Sequence, residues 1–214
     1  MPLVYFDANI FKFAATELRR FKPRQQTVTW GDMTITSEVN DIVYLNPNDS
    51  IKNNEELKTE ARLLGDIAQL AKDKRISLVI QSETLLESWG LPNLDSLSGK
   101  FYGAPYKLVE APVKYGRVIV GDSDPIEDQF RFVSSISNKR FVELQKATGA
   151  YQGEKPLNRN QLLDAWHLWC AEYNKCDYFL TLDLKLNRVV TKSKSWPGEV
   201  KIVLPSELLE SIKT

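Results

Sequence analysis

The sequence predicts an α/β fold built on a parallel sheet, because short apolar runs alternate with stretches whose apolar residues recur at helical spacing. The apolar runs at 3–6, 76–80, 178–182 and 200–204 have the length and composition of buried strands. No internal repeat, low-complexity tract or long linker interrupts this alternation. Residues 1–214 are therefore expected to form a single domain.

The order of the elements follows from periodicity and from local start signals. Ser82 is expected to cap a short helix, and Pro125 and Pro205 stand where a helix can begin. In chain order we predict a strand at 3–6, helices at 8–20 and about 54–73, a strand at 76–80, a helix at 83–90, helical pieces within 126–148, a helix at 160–174, a strand at 178–182, a helical segment from 184, a strand at 200–204 and a helix at 206–213.

Two stretches look like insertions into this pattern. The first, at about 25–50, contains a β-rich run on each side of Gly31-Asp32, which is typical of a hairpin with a two-residue turn. The second, at 91–150, begins with a segment rich in Pro and Gly that includes a β-like run at 117–120.

Composition narrows the class of protein. The formal net charge is zero, so a strongly basic nucleic-acid-binding surface is excluded and any such binding must rest on local patches. No apolar run has the roughly 20 residues of a membrane helix, and the N-terminus is expected to be a strand and not a signal peptide. Cys170 and Cys176 are too few for a disulfide framework. They are predicted to be buried thiols in a reducing compartment, which favours the cytoplasm.

Four acidic residues follow or adjoin the predicted strands. Asp7 ends the first strand, Glu87 lies in the helix after the second, Asp164 opens the helical stretch 160–174, and Asp183 follows the strand at 178–182. Carboxyl ends of parallel strands meet at the ligand-binding edge of such folds. Carboxylates that converge there repel one another unless a cation is present. The sequence therefore predicts a divalent-metal site and phosphoryl chemistry.

The order and surroundings of these acids match a known pattern. In that pattern a first strand ends in Asp-x-Asn or Asp-x-Thr, a helix carries Thr-Leu-x-Glu, another helix begins Asp-Ala-x-His, and a later strand ends in Leu-x-Thr-x-Asp. The segments read Asp7-Ala-Asn9, Thr84-Leu-Leu-Glu87, Asp164-Ala-Trp-His167 and Leu180-Thr181-Leu-Asp183. In these motifs the chain resembles the PIN-domain nucleases.

The resemblance implies a parallel-sheet α/β/α sandwich of PIN type, Mg²⁺ or Mn²⁺ dependence, and hydrolysis of RNA phosphodiester bonds by a metal-activated water. Many members of that family are toxins held in check by an antitoxin protein, and others process RNA. An RNA substrate, an antitoxin partner and a homodimer are the expectations that follow, with no role at a membrane. The chain is longer than small members of the family, which lack the stretches at about 25–50 and 91–150.

Roles for the individual side chains follow from cation chemistry. Mg²⁺ keeps several waters and takes one or two carboxylates directly, for which Asp7 and Asp164 are the candidates. Glu87 and Asp183 would then orient waters or hold a second ion, with Glu83 as the alternative to Glu87. Asn9 and Thr181 are expected to hydrogen-bond the ligands, and Lys185 and Arg188 to contact a substrate phosphate. His167 is expected to pack or hydrogen-bond and not to catalyse.

Other readings of these residues stay open at this point. Asp7 and Asp183 could simply cap the following helices, Asp164 could interact with a helix dipole, and Glu87 could be a surface residue. A catalytically silent PIN-like RNA-binding or interaction module is the main functional alternative. A phosphatase with Asp7 as nucleophile fits poorly, because Asn9 stands where such enzymes carry a second Asp.

Overall fold

The computed structural model describes residues 1–15, 18–45, 51–89, 99–116, 125–151, 158–192, 196 and 198–213. Seven strands occur in these residues: β1 (Leu3–Phe6), β2 (Leu18–Trp30), β3 (Met33–Leu45), β4 (Ser77–Ile80), β5 (Tyr106–Leu108), β6 (Tyr178–Leu180) and β7 (Lys201–Val203). The helices described are α1 (Ala8–Ala14), α2 (Glu55–Arg62), α3 (Leu64–Lys72), α4 (Ser82–Trp89), α5 (Pro125–Ser134), α6 (Lys139–Thr148), α7 (Arg159–Tyr173), α8 (Leu184–Lys192) and α9 (Pro205–Lys213).

Five of the strands form a parallel sheet in the order β5-β4-β1-β6-β7. The chain starts in the centre with β1, builds β4 and β5 on one side, and then crosses to build β6 and β7 on the other. The strand order therefore reverses between β1 and β6. In open α/β sheets the crevice at the carboxyl ends of the strands beside such a reversal is the usual ligand site.

Helices flank both faces of this sheet, as the alternation of side chains along β1 illustrates. Val4 and Phe6 point into one buried cluster, which includes residues of α1, α2, α3 and α9. Tyr5 points into the other, which includes residues of α5, α6, α7 and α8. Successive residues of a strand face opposite sides, so four apolar residues at 3–6 anchor two helical layers. The predicted α/β class and parallel sheet are confirmed.

The helix predicted at 8–20 is wrong in its second half. α1 ends at Ala14, because Ala15 takes an extended conformation with ψ 141°. Leu18, expected on the helix, begins β2 instead and pairs with Leu45 of β3. The physical reason is that residues from 18 onward gain a complete cross-strand ladder, whereas the apolar face of α1 is already buried by Ile10 and Phe11.

The helix predicted at 54–73 is interrupted at Leu63. The backbone N–H of Leu63 donates to the carbonyl of Glu60, an i−3 bond that tightens the last turn of α2. α3 then begins at Leu64. Both helices keep their apolar residues in the same core, with Ala61 and Leu64 fully buried.

The predicted hairpin is confirmed and is longer than expected. β2 and β3 pair in antiparallel register from Leu18–Leu45 at the base to Trp30–Met33 at the tip. The two-residue turn is Gly31-Asp32, and Gly31 has φ +59°, a conformation that glycine adopts without strain.

Part of the stretch at 91–150 belongs to the sheet and the core. β5 pairs with β4 and forms one edge of the parallel sheet. Phe141 of α6 is fully buried and lies against Trp166 and Trp169 of α7. The predicted β-like run at 117–120 and the helix-start signal at 122–124 lie outside the described residues. Among the described helices, none combines the length and apolar character that a membrane span requires.

Candidate active site

Asp7 lies at the carboxyl end of β1, where its backbone N–H donates to the carbonyl of Leu180 in β6 (3.1 Å). Its side chain does not cap α1. The carboxylate is buried, with 4% of the residue exposed, and Oδ2 accepts a hydrogen bond from the hydroxyl of Thr181 (2.6 Å). The capping alternative is thereby excluded, and the side chain faces the neighbouring strand end.

Thr181 links three segments of the site through one hydroxyl group. It donates to Asp7 and accepts from Nδ2 of Asn9 (3.0 Å) and from the backbone N–H of Asp183 (2.9 Å). A hydroxyl has one donor and two acceptor positions, so its capacity is fully used. Oδ1 of Asn9 also accepts from the backbone N–H of Leu182 (3.1 Å). These bonds fix the ends of β1 and β6 against each other.

Asp183 caps α8 with one oxygen only. Its Oδ1 accepts from the backbone N–H groups of Lys185 (2.8 Å) and Leu186 (2.9 Å). Among the described residues, no group donates to its Oδ2. The capping interpretation of Asp183 is correct as far as Oδ1 is concerned. Because this cap orients the carboxylate, Oδ2 stays available to a ligand.

Glu87 is held by buried polar groups. Its Oε1 lies 2.6 Å from Nε2 of His167 and accepts from Nε2 of Gln129 (3.0 Å). Nδ1 of His167 lies 3.1 Å from the hydroxyl of Tyr5 and 3.3 Å from that of Thr84. His167 therefore has the hydrogen-bonding role that was expected of it.

Glu83, the alternative to Glu87, faces a different neighbour. Its Oε1 accepts from the hydroxyl of Tyr115 (2.8 Å), and Tyr115 also accepts from Gln81 (2.9 Å). Of the two glutamates, Glu87 is the one whose charge acts on Asp7 and Asp164.

Asp164 projects from α7, which begins at Arg159 after the cap residue Asn158. It therefore lies in the second turn and does not open the helix as the sequence suggested. The side chain is partly buried, and within the described part of the chain it has neither a hydrogen bond nor an ion pair. It lines a cavity of about 210 Å³ together with Asp183 and Lys185. Among the described residues Asp164 is thus a carboxylate without a directly bonded protein partner, although the charge of His167 favours its ionised form.

The charges of the four acids act on one another. Burial raises the pKa of Asp7 to about 6, an increase that His167 and Thr181 oppose and Glu87 and Asp183 reinforce. Burial, followed by the charges of Asp7 and Asp183, raises the pKa of Asp164 well above its ordinary value. Asp7 and Asp164 thus lie within electrostatic reach of Glu87 and Asp183, in an environment that disfavours the negative charge of Asp7 and Asp164.

The pKa of His167 reflects the same negative field. Burial alone would lower it, but the charge of Glu87 and its hydrogen bond, with Asp7 and Asp164 in support, raise the pKa above the ordinary value. A protonated imidazole can donate from both nitrogens, to Glu87 on one side and to the Tyr5 and Thr84 hydroxyls on the other.

A wider cleft of about 1070 Å³ continues outward from Asp183. Asn9, Glu56, Lys185 and Arg188 line it, so the cleft adjoins the Thr181 network. Lys185 is exposed and lines both cavities. Arg188 donates to Glu56, which partly neutralises the cation that the sequence assigned to a substrate phosphate.

Within the described residues, no group of three or more His, Cys, Asp or Glu side chains is arranged to hold a metal ion as it stands. The donor chemistry nevertheless fits a hard cation. Asp164 and Oδ2 of Asp183 present unbonded carboxylate oxygens, and Asp7 is a buried carboxylate with one hydrogen bond. An ion that retains several waters needs only one or two direct carboxylate ligands.

Comparison with protein-family models, curated proteins and solved structures gives no match.

Tyr5 and Thr84 contact His167, which in turn contacts Glu87, and Gln129 contacts Glu87 directly. No role for these three side chains was predicted from the sequence. The sequence predicts Tyr5 as part of a buried strand, and a tyrosine in such a strand needs a hydrogen-bond partner for its hydroxyl. That requirement was a usable signal. Gln129 lies in a helix whose contact with α4 depends on the tertiary fold, so no sequence pattern pointed to it.

Proposed function

We propose that the protein is a divalent-metal-dependent endoribonuclease of PIN type, which hydrolyses RNA phosphodiester bonds. The observation that supports the proposal is that the charges of Glu87 and Asp183 act on both Asp7 and Asp164, with Asp7 at a strand end beside the strand-order reversal. The order of these residues also matches the motifs through which the chain resembles the PIN-domain nucleases.

Asp7 and Asp164 are the proposed holders of the ion. Both pay a desolvation cost as anions, which a bound cation would offset. When bound, Mg²⁺ or Mn²⁺ would supply activation of the attacking water and stabilisation of charge on the phosphate and leaving oxygen. One ion or two would fit this donor set.

The remaining residues position these groups. Thr181 and Asn9 fix Asp7 and the segment leading to Asp183, while the α8 cap fixes one oxygen of Asp183. His167 and Gln129 fix Glu87. Lys185, exposed at both cavities, is placed to attract a substrate phosphate.

The geometry of Asn9 argues against the phosphatase alternative. Its amide donates to Thr181 and its oxygen accepts from Leu182, so it has a structural function beside Asp7. An amide cannot replace the acid–base Asp of an aspartyl-phosphate enzyme. A toxin with an antitoxin partner is one form of the proposed nuclease, and an RNA-processing enzyme is another.

The test is cleavage of a pool of end-labelled cellular RNAs with Mg²⁺, with Mn²⁺ and with EDTA. Asp7→Asn and Asp164→Asn remove one site charge each, and Asp66→Asn makes the same change at an exposed position on α3. We expect metal-dependent cleavage by the wild type and by Asp66→Asn, with loss of at least about a hundredfold in both site variants.

Circular dichroism confirms that each variant is folded before activity is compared. Cleavage that persists in EDTA, or that is equal in Asp164→Asn and wild type, contradicts the proposal. A folded wild type that binds RNA but cuts none of it with either metal favours the catalytically silent RNA-binding module.

A further inference from the structure

The β2–β3 hairpin presents a large exposed surface. Within the described residues it forms a sheet of two strands only, and nearly all of β3 is exposed. Trp30 is 83% exposed and Met33 67% exposed, although both are large and apolar. A two-stranded hairpin is at best marginally stable alone in water, so a ribbon of this length calls for a covering strand or surface.

The two edges of the hairpin differ in their ability to accept another strand. β2 contains Pro23, which removes a backbone donor, as well as a run of basic residues. β3 contains no Pro, Gly, Lys or Arg over its thirteen residues. A long edge strand without these protective residues is a template for pairing with another chain.

The position of Pro23 shows which backbone groups of β3 are available. Pro23 pairs with Asn40, and a proline is accommodated where its nitrogen faces away from the neighbouring strand. Backbone groups alternate in direction along an antiparallel strand. The N–H and C=O groups of Asn40, and of every second residue from Thr34 to Ile42, therefore face the edge of β3 that points away from β2.

We propose that two copies of this chain associate through β3, in antiparallel register about a two-fold axis at Val39, to form a four-stranded sheet. Every residue of β3 then has a partner. The pairs are Met33 with Leu45, Thr34 with Tyr44, Ile35 with Val43, Thr36 with Ile42, Ser37 with Asp41, Glu38 with Asn40, and Val39 with itself.

The proposed register is chemically self-complementary. Met33 and Ile35 face Leu45 and Val43 of the partner subunit, so exposed apolar residues near each tip meet apolar residues near the other base. The two acids of β3 do not oppose each other. Glu38 faces an amide, and the charge of Asp41 is already compensated by Arg24 at 2.8 Å.

The size of the interface is adequate for a symmetric dimer. Thirteen paired residues extend over about 44 Å at the usual rise of an antiparallel strand. The outward-facing groups of the two strands allow roughly 12 main-chain hydrogen bonds. Such a contact is isologous, since the same surface of each copy meets the other, and it closes without forming a filament.

A matched pair of proline substitutions tests which edge is used. Thr27 and Thr36 are opposite each other, and both N–H groups face outward, on the β2 and β3 edges respectively. We expect wild type to be a dimer by light scattering. Thr36→Pro should raise the dissociation constant of the dimer at least about tenfold, whereas Thr27→Pro should leave that constant unchanged. Either substitution removes the same Thr27–Thr36 hydroxyl contact.

Cysteine crosslinking tests the register. Val39 is expected to form a non-hydrogen-bonded pair with Val39 of the partner subunit, about 4.5 Å apart between Cα atoms, within disulfide range. Val39→Cys should therefore crosslink under mild oxidation. Ser37→Cys should not, because its two copies would lie roughly 14 Å apart. Cys170 and Cys176 are buried and leave the background low.

A monomeric wild type, equal dissociation constants for the two proline variants, or crosslinking of Ser37→Cys in preference to Val39→Cys would each overturn the proposal. These measurements need neither metal nor RNA, so their outcome is independent of the proposed nuclease. Circular dichroism distinguishes loss of the dimer from loss of the fold.

Discussion

The hydroxyl of Thr181 donates a 2.6 Å hydrogen bond to Oδ2 of Asp7 and so joins two residues that are 174 positions apart in the chain. The bond spans the neighbouring ends of β1 and β6, at the reversal of the strand order. It holds the buried carboxylate against the end of β6, and the carboxylate does not cap the helix that Asp7 precedes. The acidic site is therefore built into the centre of the sheet and not onto a surface loop.

The free energy of unfolding of the metal-free protein should depend on pH through Asp7. The pKa of Asp7 is about 6 in the folded protein and 3.8 for the ordinary group, so folding favours the protonated form. The wild type should lose stability as the pH rises from about 4 through about 6. Asp7→Asn should avoid this loss and be more stable at neutral pH by roughly 1–3 kcal/mol. Urea unfolding in EDTA across this range measures the difference.

Asp66→Asn is the control for that experiment, because Asp66 is exposed on α3. Its stability should follow that of the wild type at every pH. A difference between Asp7→Asn and wild type that stays constant from acid to neutral pH would show that the Asp7 carboxyl is not perturbed by burial.

The second prediction uses the fact that His167 is the only histidine in the chain. Its pKa should lie above the ordinary 6.5, because Glu87 and the other acids outweigh the effect of burial. Glu87→Gln should lower the pKa of His167, since it removes the largest of the influences that raise it. An NMR titration of the single imidazole gives both values directly.

A matched change for the His167 titration is Glu56→Gln, which alters a glutamate at the outer cleft that pairs with Arg188. It should leave the imidazole titration unchanged. Equal titration curves for wild type and Glu87→Gln would mean that the 2.6 Å contact between Glu87 and His167 does not control the charge of the imidazole.

The third prediction concerns Lys185. In the Asp164→Asn background, where substrate should remain intact, Lys185→Ala should weaken RNA binding and reduce the salt dependence of log K by about 0.7, the value for one contact to a single strand. Lys201→Ala is the control, because Lys201 is exposed at the start of β7, the end of the sheet opposite the acids. Fluorescence anisotropy at several salt concentrations measures both slopes. If log K depends on salt equally in the two lysine variants, Lys185 does not contact the RNA.

Much of this fold is predictable from local pattern, because buried strands and amphipathic helices have distinct periods. The strands near 3–6, 76–80, 178–182 and 200–204 and the two-residue turn at Gly31-Asp32 illustrate this. The end of α1 was not predictable in this way. Leu18 suits a helical face and a strand equally, and pairing with the distant Leu45 decides between them.

In the candidate site, too, some residues were predictable from the sequence and others were not. The ends of strands pointed to Asp7 and Asp183 because strand ends have a fixed place in an α/β sheet. The partners of Glu87 were less accessible to sequence reasoning, since Gln129 and His167 come from helices whose packing is determined by the whole core. β5 also escaped prediction, because its three residues carry no alternation and all are exposed.

Mn²⁺ binding, followed by electron paramagnetic resonance, directly tests the proposal that these carboxylates form a cation site. Wild type and Asp66→Asn should bind Mn²⁺ with the same affinity, and added Mg²⁺ should compete. Asp164→Asn should weaken binding at least about tenfold, because it removes a carboxylate that has no protein partner among the described residues. Equal Mn²⁺ affinity in Asp164→Asn, Asp66→Asn and wild type would contradict the claim.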